Sequence, residues 1–145
     1  MKKRMLIIGI TMAAAGSEKS FLSFASHAID YGRYDVDLLL AKREGDFLER
    51  IPKEIRVLDM GEMGDIFLLD RKNAYSLILK YGFFKNPVRT LSLFPYILRR
   101  LFSTTLEEKT FAAHRIWMCL MEFMPKLEDH YDVALAYWGD RTMFY

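Results

Sequence analysis

Within the first 40 residues the hydrophobic period changes twice, and this restricts the fold more than any other feature. "RMLIIGIT" (residues 4–11) is a short apolar, β-branched run and reads as a buried strand. From Ser17 to Tyr31 the apolar positions Phe21, Phe24, Ala25, Ala28 and Ile29 follow helical spacing. Glu18 falls in the first turn, where a carboxylate complements the helix dipole. Gly32 stands where a left-handed residue often closes a helix. "YDVDLLLAK" then returns to a strand pattern. Strand, helix, strand at this spacing predicts a parallel sheet with a right-handed crossover.

The rest of the chain extends the pattern. "EGDFLERIP" reads as a loop with one helical turn, and "KEIRVLDMG" as a shorter third strand. Helices are predicted over residues 65–80, from Pro87 to Phe102 with Pro95 as a break, and from Leu106 to Met124, ending before Pro125. "YDVALAYWG" is a further strand. "DRTMFY" then reads as the start of another element, so the expectation is a fragment of a longer protein. Residues 1–145 are thus expected to form one α/β domain, a Rossmann-like three-layer sandwich with a mainly parallel sheet.

The same N-terminus also fits an export signal: basic residues, an apolar run, and Ala13-x-Ala15 as a cleavage site. Cleavage after Ala15 would remove the strand beside which the following helix and strand must pack. The strand reading is therefore preferred, and with it a cytoplasmic location. At 52% apolar and 28% charged residues the chain can bury a core, which excludes a disordered class. No apolar run reaches the roughly 20 residues that span a bilayer. The single cysteine, Cys119, lies in an apolar helical run and reads as a core residue. Charge is segregated. Residues 71–106 hold seven basic and no acidic residues, whereas the other 14 basic and all 19 acidic residues lie elsewhere. Such segregation points to an anionic partner.

Residues 4–60 and 131–145 resemble glycosyltransferase family 4, the retaining nucleotide-sugar transferases of the GT-B fold. The resemblance is carried by "AGSEK", "YDVDLL", "EGDFLERIPKEIRVL" and "YDVALAYWGD", in that order. It implies the N-terminal, acceptor-side half of a two-domain enzyme in polysaccharide or cell-envelope biosynthesis. The donor would be a nucleoside-diphosphate sugar, the acceptor a glycan or lipid-linked saccharide, and no metal or other cofactor would be required. It also implies a missing C-terminal domain. The loop Ala14, Ala15, Gly16, Ser17, Glu18 would then face donor phosphate or substrate. The family's Gly-Gly pair stands here as Ala15-Gly16, which narrows the backbone approach that such a loop provides. The open alternative is a tight turn needing a small residue. Neither a P-loop nor a dinucleotide fingerprint is present.

No catalytic residue is assigned. Many family members place a histidine after the later strand, where this chain has Trp138-Gly139-Asp140. Asp140 is a candidate cleft contact, or a turn aspartate. His27 reads as a packing residue, and His114 and His130 have no partner at metal-ligand spacing. Glu107-Glu108 and Glu128-Asp129 read as solvated faces or helix ends. In residues 83–102, Lys85, Arg89, Arg99 and Arg100 are interleaved with Phe and Leu. This suits either an interfacial helix on an anionic leaflet, placing the protein peripherally on the inner membrane face, or a helix packed on the sheet. No nucleic-acid module accompanies the basic stretch. A non-catalytic flavodoxin-like or receiver-like module is the competing class.

Overall fold

The computed structural model describes residues 2–64, 76, 80, 82–121 and 126–138, without the side chains of residues 62, 63, 85, 89, 113 and 119–121. The chain divides into two compact units, Met1–Leu68 with Pro125–Met143, and Leu69–Met124 with Phe144–Tyr145. The expected helix over 65–80, apart from residues 76 and 80, the approach to Pro125, residues 139–145 and the Cys119 side chain lie outside the described residues.

The first unit is α/β. Its strands are β1 (Lys3–Gly9), β2 (Tyr34–Leu40), β3 (Ile55–Asp59) and β4 (Val133–Ala136), and helix α1 (Gly16–His27) joins β1 to β2. All pairings are parallel, in the order β3-β2-β1-β4, which is a Rossmann-like arrangement. The run "VDLLLA" is buried throughout, as expected of a parallel strand covered on both faces. Side chains alternate across the pleat. Ile7, Val36, Leu38, Leu40 and Ile55 share one face and form a core with Phe21 and Ala25 of α1. Leu6, Ile8 and Leu39 are buried on the opposite face.

Helix α1 ends earlier than its apolar spacing suggests. Its C-cap is Ala28, with right-handed backbone, and Gly32 has no positive φ. A side chain replaces the left-handed cap: the Tyr31 hydroxyl donates to the Ala25 carbonyl at 2.7 Å, satisfying a last-turn carbonyl. Gly32 instead takes part in an aspartate turn, its N–H donating to Asp30 Oδ1 at 2.9 Å. His27 is exposed rather than packed, with Nδ1 3.0 Å from the Ser23 carbonyl.

Gly45 does require its glycine. It holds φ at +121°, and a Cβ there would collide with the Met12 backbone. The approach is close because the loops after β1 and β2 pair with each other. Met12 N–H donates to the Glu44 carbonyl at 2.8 Å and Phe47 N–H to the Met12 carbonyl at 3.0 Å. The one-turn prediction in this loop is met by a 3₁₀ turn at Leu48–Arg50.

The opposite sheet face carries a charge network. Asp37 sits within β2 with its carboxylate nearly buried. Arg56 on β3 grips it with Nε 2.8 Å from Oδ1 and a terminal nitrogen 2.6 Å from Oδ2. Arg4 on β1 and the Tyr131 hydroxyl also donate to Oδ2, at 3.2 and 2.6 Å. Asp129 pairs with both arginines, at 2.9 and 3.0 Å, so two carboxylates balance two guanidiniums. Asp129 is exposed, as expected of a solvated acid, and is in addition an ion-pair partner of both arginines. Burial works to raise the Asp37 pKa, but the bonds from Arg56, Tyr131 and Arg4 outweigh it and hold it below the usual carboxylate range. The hydrogen bond from Arg4, reinforced by Arg56, holds Asp129 well below that range. Burial, together with the bond to Asp37, pushes the Tyr131 phenol up to about 12.

The second unit is helical where described. A helical turn at Phe83–Lys85 precedes α2 (Pro87–Ser92), α3 (Phe94–Phe102) and α4 (Leu106–Met121). The break expected at Pro95 falls before it, at Leu93, and Pro95 occupies the first turn of α3. Helices α3 and α4 pack together through Tyr96 and Phe111, whose ring centroids are 6.3 Å apart. Glu107 and Glu108 lie in the first turn of α4, favourable to its dipole.

Two outcomes check these assignments. Gly45→Ala should destabilise by about 2 kcal/mol or more, since both φ and space oppose it; an unchanged urea midpoint would contradict the geometry. Asp37→Asn should cost roughly 2–3 kcal/mol at pH 7, because two arginines lose their buried acceptor while retaining access to water. The lowered folded-state pKa of Asp37 means its contribution is present above about pH 4 and lost as pH falls through the folded value. The Asn variant should therefore show a flatter stability profile below about pH 4. The raised Tyr131 pKa has the opposite sign, its contribution being lost as pH rises from about 10 toward 12.

Candidate functional site

In open parallel sheets, ligands bind beyond the carboxyl ends of the strands, where the winding direction reverses. Here the chain winds outward from β1 to β2 and β3, then returns to β4 on the other side of β1. The switch point therefore lies between β1 and β4. The loop 10–15, the start of α1 and the residues following β4 converge there.

Residues Ala13 to Ser17 are exposed, and Glu18 is buried. Ala15 is the N-cap, with extended backbone and no side chain capping the helix. The first-turn N–H groups of α1 and its positive dipole end are thus presented at an exposed strand-to-helix junction. Gly16 opens the helix, and a Cβ added there would meet nothing within 4 Å. Its φ is not in the left-handed region. Packing among the described residues therefore gives no reason for glycine at this position.

Glu18 is turned inward. Its Oε1 accepts from Trp138 Nε1 at 3.0 Å and its Oε2 from the Ser17 hydroxyl at 2.6 Å. Trp138 lies against β1, where a Cβ on Gly9 would stand 2.8 Å from its ring and 3.0 Å from Leu40. Its ring centroid is 5.1 Å from that of Phe21. Tyr137 beside it has its hydroxyl 2.8 Å from Ser20 Oγ. The switch point is thus floored by an aromatic pair tied to α1 by two side-chain bonds. Sequence reasoning treated Trp138 only as the absence of a histidine; the available signal was a Tyr-Trp pair immediately after an apolar strand.

The sequence-derived candidates separate into three groups. Ala14, Ala15, Gly16, Ser17 and Glu18 come together at the switch point, with Glu18 bonded to Trp138 and not facing solvent. Asp140 lies outside the described residues, and so do the side chains of Lys85 and Arg89. Arg99 and Arg100 belong to the helical unit and are engaged there. Arg99 pairs with Glu108 at 2.9 Å, and Arg100 donates to the Lys109 carbonyl. Glu108 itself is held below the usual carboxylate range by the Ser103 hydroxyl and by Arg99. No group of three or more His, Cys, Asp or Glu suited to a metal occurs among the described residues.

No protein-family model matches this chain, and neither a similar curated protein nor a similar solved structure was found.

The two glycines should behave oppositely. Gly16→Ala should leave stability unchanged or raise it by about 0.5–1 kcal/mol, as helix propensity allows. Gly9→Ala should lower it by about 1–3 kcal/mol through overpacking and shift tryptophan emission as Trp138 moves. Equal effects at both sites would refute the packing described.

Proposed function

We propose that this chain is the acceptor-side, Rossmann-like domain of a retaining glycosyltransferase that moves a sugar from a nucleoside-diphosphate donor to a glycan or lipid-linked acceptor. The observation that carries it is the α1 N-terminus at the switch point: exposed, lacking a side-chain cap, and opened by a glycine that packing among the described residues does not require. A phosphate or sugar oxygen can approach backbone N–H groups there as closely as Gly16 permits. The resemblance of "AGSEK", "YDVDLL" and "YDVALAYWGD" to the family supplies the substrate class. Glu18 would act as a positioning residue, holding Trp138 beneath the loop and leaving the N–H groups for the ligand.

This domain would supply one wall of a cleft. Retaining transfer requires donor and acceptor to be held together, and much of the rate gain comes from that positioning. The reading therefore calls for a second, donor-side domain. The 145-residue chain alone should give no turnover of nucleoside-diphosphate sugars. Titrating such sugars, or uridine diphosphate, into the ¹⁵N-labelled chain should shift the amides of residues 14–18 selectively at millimolar concentration. Gly16→Val should abolish those shifts with an unchanged melting temperature. Multiple turnover by this chain alone, or no perturbation at residues 14–18 by any donor, would defeat the proposal.

A further inference from the structure

The helical unit exposes bulky apolar residues to a degree that packing among the described residues does not account for. Phe84 is 86% exposed, Val88 78%, Phe102 79% and Leu106 81%. Leu91, Leu101, Phe94, Phe83 and Leu98 are exposed as well. On α3, Phe94, Leu98, Leu101 and Phe102 fall at i, i+4, i+7 and i+8, a single stripe along one face. The opposite side carries Tyr96 and Arg100, which contact α4. The stripe is therefore the outer face of a helix pair whose inner face is already occupied. Contiguous apolar surface of this kind marks an interaction site.

We infer that this face, from Phe83 to Leu106, is a monotopic membrane-docking surface for an anionic leaflet. Charge selects the occupant. The seven basic residues of segment 71–106 are accompanied by no acidic residue, so the apolar stripe lies in a stretch of one sign. An anionic leaflet offers hydrocarbon for the Phe and Leu side chains and anionic headgroups for a segment of net positive charge. A protein partner would have to combine an acidic surface with separate pockets for each projecting ring. No helix among the described residues is long and apolar enough to cross a membrane, so the contact is at the surface. Arg99 and Arg100 contribute least to the attraction, Arg99 being paired with Glu108 and Arg100 turned to the Lys109 carbonyl on the α4 side. This inference does not depend on the glycosyltransferase reading.

The test is co-sedimentation of the full 145-residue chain with vesicles of phosphatidylcholine alone or with 30% phosphatidylglycerol, at low and high salt. Binding should favour the anionic vesicles at least tenfold and weaken with salt. Phe84→Ser/Leu101→Ser/Phe102→Ser should reduce it at least tenfold with an unchanged circular dichroism spectrum, because these side chains are exposed already. Lys85→Gln/Arg89→Gln leaves the apolar stripe intact and should lower anionic-vesicle binding by roughly 20–30-fold, at about fivefold per surface cation. Equal pelleting with both lipids, or none with either, overturns the inference. So does a concentration-dependent dimer abolished by the triple substitution in a chain that ignores vesicles, which would identify the face as a self-association surface.

Discussion

A carboxylate removed from water in the middle of a strand must find its counter-charges within the fold, and Asp37 finds two, with a phenol hydroxyl as a third donor. Arg4 comes from β1, Arg56 from β3, and Tyr131 from the segment entering β4. These elements are far apart in sequence, and the network is satisfied only when β3-β2-β1-β4 are in their observed order and register. Hydrophobic burial alone would tolerate a two-residue slip of "VDLLL" along its neighbours, since the apolar face would be preserved. Such a slip would separate Asp37 from Arg56, which stands opposite it. The network thus adds specificity to a core that supplies most of the stability, and it fixes β1, from whose end the candidate site begins.

The strands were legible because they are short, apolar and bounded by turn residues, a pattern that survives without tertiary information. Helix α1 was legible from its spacing, but its end was not. Gly32 looked like the cap, whereas the cap comes from the Tyr31 hydroxyl, a bond that depends on how the chain turns back. The break in the second helical stretch was rightly tied to Pro95, but it falls two residues earlier. Proline lacks the N–H and crowds the preceding turn, so it disrupts the helix before itself while suiting the first turn of the next. Leu93 accordingly marks the break and Pro95 begins α3.

The candidate site was half legible. The small-residue loop, Gly16 and the first-turn Glu18 can be read directly from "AAAGSEK". The role of Glu18 cannot, because its partner Trp138 lies 120 residues away. Asp129 shows the same limit. Beside Glu128 it looked like a solvated acid, and exposed it is, but its pairing with Arg4 and Arg56 depends on the return of the chain. The apolar face of residues 83–106 was visible as composition, but which side of α3 stays uncovered is decided by Tyr96 and Arg100 meeting α4.

The stitching of the loop after β1 to the loop after β2 has an architectural consequence. Met12 is bonded on both sides by Glu44 and Phe47, with Gly45 pressed against its backbone. The two loops therefore form one plate, joined at Met12, three residues before the strand-to-helix junction at Ala15. A substitution in "KREGDF" would be felt at the mouth of the switch point without touching it, by tilting that plate. The shape of such a mouth can thus change through residues 42–47, leaving the junction's own small residues unchanged.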